Sequence, residues 1–136
     1  MILSDVRDMI ASLGIAEDDN CYMHKLDNKK QKCIGVYFLK RDGNCHIPIG
    51  GIDNATYGVY PVSLLVHWNK NPIESEKAAT ELYKALLKLK DLSVNEYTIK
   101  FISLLVPCPQ YVSTDSNGAH EWVIEGLIYY EQGGNK

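Results

Sequence analysis

Apolar residues recur along this chain at two spacings, and the change between them marks the elements. Val6, Met9, Ile10 and Leu13 repeat at three and four residues and predict a short helix over residues 3 to 13. Ser4 is its expected N-cap, Asp5 suits the positive end of the helix dipole, and Gly14 is the expected stop. A polar connector, Ile15 to Asn20, follows. From Cys21 the pattern alternates. Cys21 to Leu26 reads as one strand and Cys33 to Lys40 as a second, in which Ile34, Val36 and Phe38 alternate with Gly35, Tyr37 and Leu39. With Asp27 to Lys30 as the turn between them, the two strands predict a hairpin, and Arg41 to Asn44 predicts a further turn.

Residues 45 to 61 break both periods. His46-Ile47-Pro48-Ile49-Gly50-Gly51 leads into Ile52-Asp53-Asn54-Ala55-Thr56-Tyr57, a segment apolar enough to pack but too rich in Gly and Pro for a central strand. It predicts an extended arm over about residues 42 to 61. Val62 to Trp68 then reads as a strong strand, rich in β-branched and aromatic residues. Asn69 and Asn71 are helix-cap residues, Pro72 suits a first helical turn, and Ala79, Leu82, Tyr83, Leu86 and Leu87 share one face of a helix over 72 to 90. Beyond it the pattern predicts a linker at Asp91 to Thr98 and a strand at Ile99 to Val106, ended or kinked by Pro107 and Pro109. Gln110 to Thr114 either prolongs that strand or forms a short edge piece. Asp115-Ser116-Asn117-Gly118 is a turn, and Glu121 to Glu131 is a last strand with Trp122, Ile124, Gly126, Ile128 and Tyr130 on one face. The order α-β-β-β-α-β-β predicts an α+β fold over residues 1 to 136, a single domain with both helices on one face of a mainly antiparallel sheet.

Charge and composition narrow the function. The formal net charge is -3, and the densest basic stretch, Lys29, Lys30 and Lys32, falls in a turn, so the footprint for gripping nucleic-acid phosphates is missing. Acidic residues interrupt the first dozen positions, and no run approaches the roughly 20 apolar residues of a membrane span. The expectation is a chain that stays in the cytoplasm where it is made. Cys21, Cys33, Cys45 and Cys108 form no C-x-x-C pair and are expected as free thiols.

Candidate chemistry is sparse. Cys21, His24, Cys45 and His46 assemble a zinc site only if the first strands converge, and their spacing matches no known ligand pattern. His67 beside Trp68 reads as a hydrogen-bonded sheet histidine. Asp115 and His120 flank the Asn117-Gly118 turn and suggest an Asp-His pair, but turn chemistry already accounts for Asp and Asn there. No serine sits in a nucleophile elbow, and Gly50-Gly51 lacks the Lys-Ser/Thr of a phosphate loop. No catalytic, metal-binding or cofactor residues are assigned. The aromatic content points elsewhere. Of nine tyrosines, Tyr57, Tyr60, Tyr111, Tyr129 and Tyr130 lie near loops or strand ends, where Tyr favours protein contacts. An arm of this composition cannot bury itself well. Ile49, Gly50, Gly51, Ile52, Asp53, Asn54, Tyr57 and Tyr60 are therefore the expected contact residues with neighbouring subunits.

Three blocks carry a resemblance: Ile34-Gly35-Val36-Tyr37, then Ile49-Gly50-Gly51-Ile52-Asp53-Asn54, then Val62 to Asn71 leading into a helix with Glu74, Glu76, Ala78, Ala79, Leu82 and Tyr83. Over roughly residues 5 to 131 the chain resembles the bacteriophage minor capsid protein family of tailed phages and prophages of Gram-positive bacteria, and through it tail terminator and head-tail joining proteins. The resemblance implies a tail-terminator-like fold and no catalytic residues or cofactor. It makes Gly50, Gly51, Asp53, Asn54, His67, Trp68 and Asn69 fold or contact positions. It also implies a structural virion protein at the head-tail junction, assembled in the host cytoplasm. Such a protein forms a ring, commonly a hexamer, that stops the tail tube and touches the tail tube protein and a head-completion or connector protein. It needs no sequence-specific nucleic acid and no membrane. A connector or minor capsid component placed elsewhere, and a small Cys/His metal-binding or thiol enzyme, are the alternatives.

Overall fold

The computed structural model describes residues 1–24, 30–41, 45, 47–52 and 56–132. Helix α1 (Leu3–Ser12) is followed by a 3-10 turn at Asp18–Asn20. Strands β1 (Cys21–Met23), β2 (Cys33–Phe38) and β3 (Gly58–His67) come next, and then helix α2 (Pro72–Lys88). The chain closes with β4 (Leu92–Val94), β5 (Tyr97–Leu104), β6 (Gln110–Thr114) and β7 (His120–Gln132). The fold is α+β, as the hydrophobic pattern predicts.

Among the described residues the strands form one sheet in the order β1-β2-β3-β7-β5-β4, with β6 also on β7. The axis of the sheet is β7. One of its edges pairs with β3 from Gly58↔Tyr130 to His67↔Glu121. Its other edge is shared end to end by β5 and β6, which run in the same direction. The segment 105–109, with Pro107 and Pro109, leaves the ladder between them, because proline cannot donate to it. Leu105 N–H still reaches Glu125 C=O at 2.9 Å before the chain departs. Gln110 to Thr114 thus continues the strand line after an interruption.

Both helices lie on one face of this sheet. Val6, Met9 and Ile10 of α1 and Ala79, Leu82 and Leu86 of α2 join Ile34, Val36, Val62, Leu64, Val66, Ile124 and Ile128 in one core. Met9, Ile10, Leu82, Ile124 and Ile128 are fully buried, and each such side chain contributes roughly 1.5–3 kcal/mol. Helix α2 starts where the sequence places it, since Asn71 Oδ1 accepts from the N–H groups of Ile73 and Glu74, with Pro72 in the first turn. Helix α1 starts differently. Ile2 occupies the N-cap position and Asp5 Oδ2 accepts from Ile2 N–H, so Ser4 lies inside the first turn rather than capping it.

Three further expectations are corrected. The predicted hairpin of the first two strands is a parallel pair, with Cys21 opposite Ile34 and Met23 opposite Val36. The backbone is left-handed at His24 (φ 61), just after β1, and at Lys32 (φ 60), just before β2. The predicted turn at Asp27 to Lys30 lies outside the described residues apart from Lys30. The predicted linker at Asp91 to Thr98 holds a hairpin, β4 on β5, with Leu92 opposite Ile99. Asn95 (φ 54) supplies the left-handed residue of its tight turn. Finally, β3 begins four residues before the expected Val62, so Gly58 to Pro61 belong to the sheet. Pro61 is tolerated because β2 ends at Phe38 opposite Val62, and its missing N–H would point past the last β2 pair.

Candidate functional site

Strand alternation decides what the second face of the sheet displays. Alternate residues of β3 and β7 point away from the helices: Val59, Pro61, Ser63, Leu65 and His67 on β3, facing Tyr129, Leu127, Glu125, Val123 and Glu121 on β7, with Glu131 next along β7. No described helix covers this outer face, and most of these side chains are half-buried by their neighbours alone. The centre of the face is therefore apolar, made of Leu65, Val123, Leu127 and Pro61. Glu125 sits among them opposite Ser63, and its carboxylate has no hydrogen-bond or ion-pair partner among the described residues.

One end of the outer face carries an aromatic row. Phe101 stacks on Tyr129 with ring centroids 4.6 Å apart and planes 10° apart, and Tyr57 lies 5.9 Å from Tyr129 on the other side. Phe101 and Tyr57 are about half exposed. The row borders an open groove that Lys100 closes on one side, held by Asp91 at 2.6 Å and Glu131 at 3.5 Å. Sequence reasoning picked Tyr57 and Tyr129 but not Phe101. A register shift between Ile99 and Phe101 sends Phe101 to the outer face, and nothing in strict alternation announces it.

The predicted contact segment divides in three. Ile49 is fully exposed and Ile52 is 63% exposed, and Ile47 beside them is 58% exposed. Gly50 (φ 106) and Gly51 (φ 94) form a turn closed by Gly51 N–H to Pro48 C=O at 2.9 Å. Asp53 and Asn54 lie outside the described residues. Tyr57 joins the aromatic row, whereas Tyr60 points to the opposite, core side, edge-on to Phe38 at 5.5 Å. Burial pushes the Tyr60 phenol up from its ordinary value, with smaller contributions from Tyr130 and Asp5. Tyr60 is thus a packing residue more than a display residue.

At the other end of the outer face is a polar cluster. His67 is completely buried, with Nδ1 2.9 Å from Glu121 Oε2 and Nε2 3.3 Å from Asp115 Oδ2. The first contact is a hydrogen bond and the second is close enough for charge but misaligned for one, so Nε2 and Oδ2 lack hydrogen-bond partners. Asp115 Oδ1 accepts from the N–H groups of Asn117 and Ala119, the turn chemistry expected of it. The suggested Asp115–His120 pair is not formed: Asp115 meets His67, and His120 Nδ1 is 2.9 Å from the Tyr111 hydroxyl.

Among the described residues the imagined zinc set does not assemble. Cys21 is buried on β1 in the core, Cys45 is exposed beyond β2, and His46 lies outside the described residues. No group of three or more His, Cys, Asp or Glu among the described residues is arranged to hold a metal ion. Burial, more than any neighbouring charge, pushes the Cys21 thiol up, which makes it a poor nucleophile at neutral pH. No described helix is long and apolar enough to cross a membrane.

The geometry presents an apolar sheet face, an aromatic row and a projecting apolar turn. No curated protein matches the chain. A family model described as bacteriophage tail terminator protein matches residues 9–131, which is nearly the whole chain. The chain therefore belongs to the bacteriophage tail terminator family, a structural family of the phage tail and not an enzyme family.

Proposed function

We propose that this protein closes the tail tube at the head-tail junction as a ring of identical subunits, a hexamer in the arrangement the resemblance implies. It would contact the tail tube protein on one side and a head-completion or connector protein on the other. Residues 1 to 136 act as one α+β unit with a projecting arm. Supporting this reading is the exposure of Ile47, Ile49 and Ile52 on one short turn, an arrangement that leaves apolar area in water until another chain covers it. Rings use heterologous contacts that close on themselves, so each subunit needs a projecting element and a different surface to receive it. Within the proposed contact set, Ile49, Gly50, Gly51 and Ile52 form the exposed turn and Tyr57 its root, and Asp53 and Asn54 lie outside the described residues. Tyr60 anchors that root from the core side. Electron microscopy of particles made without this protein tests the role. Overlong tails detached from heads are expected, and normal-length tails joined to heads would remove the terminator reading.

A further inference from the structure

We infer that the outer sheet face around Glu125 is the seat for the arm of a second copy of this chain, with the basic pair Lys40–Arg41 of that copy set against Glu125. The inference rests on the ring reading above and adds the receiving surface. The face is apolar through Leu65, Val123 and Leu127, and the two described helices both lie on the other side. Its carboxylates are unequally matched. Glu121 meets His67 and Glu131 meets Lys100, while Glu125, near the middle of β7, has no partner among the described residues. A lone carboxylate ringed by apolar side chains loses hydration when covered, so its cover must bring a cation.

The arm has that chemistry. Its turn, residues 47–52, is uncharged, and its isoleucines are exposed instead of lying on the chain's own sheet. At its base Lys40 and Arg41 are exposed and have no ion-pair partner among the described residues. The six residue steps from Arg41 to Ile47 allow a reach of at most roughly 20 Å at about 3.3 Å per residue, which keeps Arg41 and the turn within one neighbouring face. Any other occupant of the face is an outcome of the test.

The test places a photo-crosslinking amino acid at position 49 and assembles particles from mixed unlabelled and 15N-labelled copies. Adducts joining position 49 of one copy to residues 59–65 or 121–129 of another are expected. Adducts within one copy, on α2 or on a different protein overturn the inference while leaving the ring intact. If no copy-to-copy adduct or ring forms at all, the ring reading and the inference fall together. Charge reversal gives an independent readout. Glu125→Arg and Arg41→Glu are each expected to weaken self-association at least tenfold, and the double variant is expected to recover most of it. Single variants that assemble normally overturn the pairing.

Discussion

Replacing Asp115 by alanine tests whether the buried polar cluster holds the β6–β7 turn in place. Asp115 makes two separable contributions. Its Oδ1 accepts from Asn117 N–H at 2.9 Å and Ala119 N–H at 2.8 Å, and Ala119 is almost completely buried. Losing the acceptor for a partly buried donor costs about 1–3 kcal/mol. Its Oδ2 lies 3.3 Å from the Nε2 of His67, a ring with no exposure. That contact is too misaligned for a hydrogen bond and Glu121 remains on the other ring nitrogen, so losing it adds at most about 1 kcal/mol. The two losses overlap, because both reflect one carboxylate leaving one site. The expected total for Asp115→Ala is about 3 kcal/mol, read as a fall in melting temperature of about 10 °C for a chain of this size. Asp115→Asn keeps an acceptor for the turn and should cost about half as much. Urea denaturation followed by tryptophan fluorescence measures both. If both variants lie within about 0.5 kcal/mol of the parent, the cluster does not support the turn and this reasoning is wrong.

Gly58→Ala should destabilise by about 1–3 kcal/mol, since an added Cβ would come within 2.5 Å of the Tyr130 ring and push it off its edge contact with Tyr97; an unchanged urea midpoint would contradict this. Asn95→Gly keeps the left-handed turn but removes the amide that bridges Asp5 Oδ1 (2.7 Å) and Asp8 Oδ2 (3.1 Å), and about 1 kcal/mol should be lost. The Asn95 amide foremost, and the Arg7 guanidinium after it, hold Asp8 below the usual carboxylate range. The stabilisation this brings is present above the ordinary carboxylate range and disappears as pH falls through the lowered value. In Asn95→Gly the Asp8 titration, followed by NMR, should move back up. Thiol alkylation of the free native protein should label Cys45 and Cys108 quickly and Cys21 and Cys33 only on unfolding; fast labelling of all four would mean that β1 and β2 are not packed as described.

What could be read in the sequence was whatever local pattern decides. Helix α2 came with its cap at Asn71, its proline and its apolar stripe, all pointing one way. The last strand carried its core set of Ile124, Gly126 and Ile128 in plain alternation. Partner choice was less legible. Whether β1 pairs with β2 parallel or antiparallel depends on the path between His24 and Lys32, and a turn-like composition fits either. The β4–β5 hairpin was hidden because Leu92 to Val94 is only three residues long, too short for a period to show. The site was half visible. The arm and Tyr57 stand out by composition, whereas Phe101 reaches the outer face through a bulge, and the isolation of Glu125 appears only when β3, β5 and β7 lie side by side.

The arm and the outer sheet face are expected to be covered in the assembly and bare in the isolated chain. Hydrogen–deuterium exchange on the free protein and on the assembled tail end compares the two states directly. Peptides spanning 47–57 and the outer-facing strands β3 and β7 are expected to slow on assembly, while the exposed face of α2 changes little. Equal exchange of residues 47–57 in both states, with protection confined to α2, would contradict it.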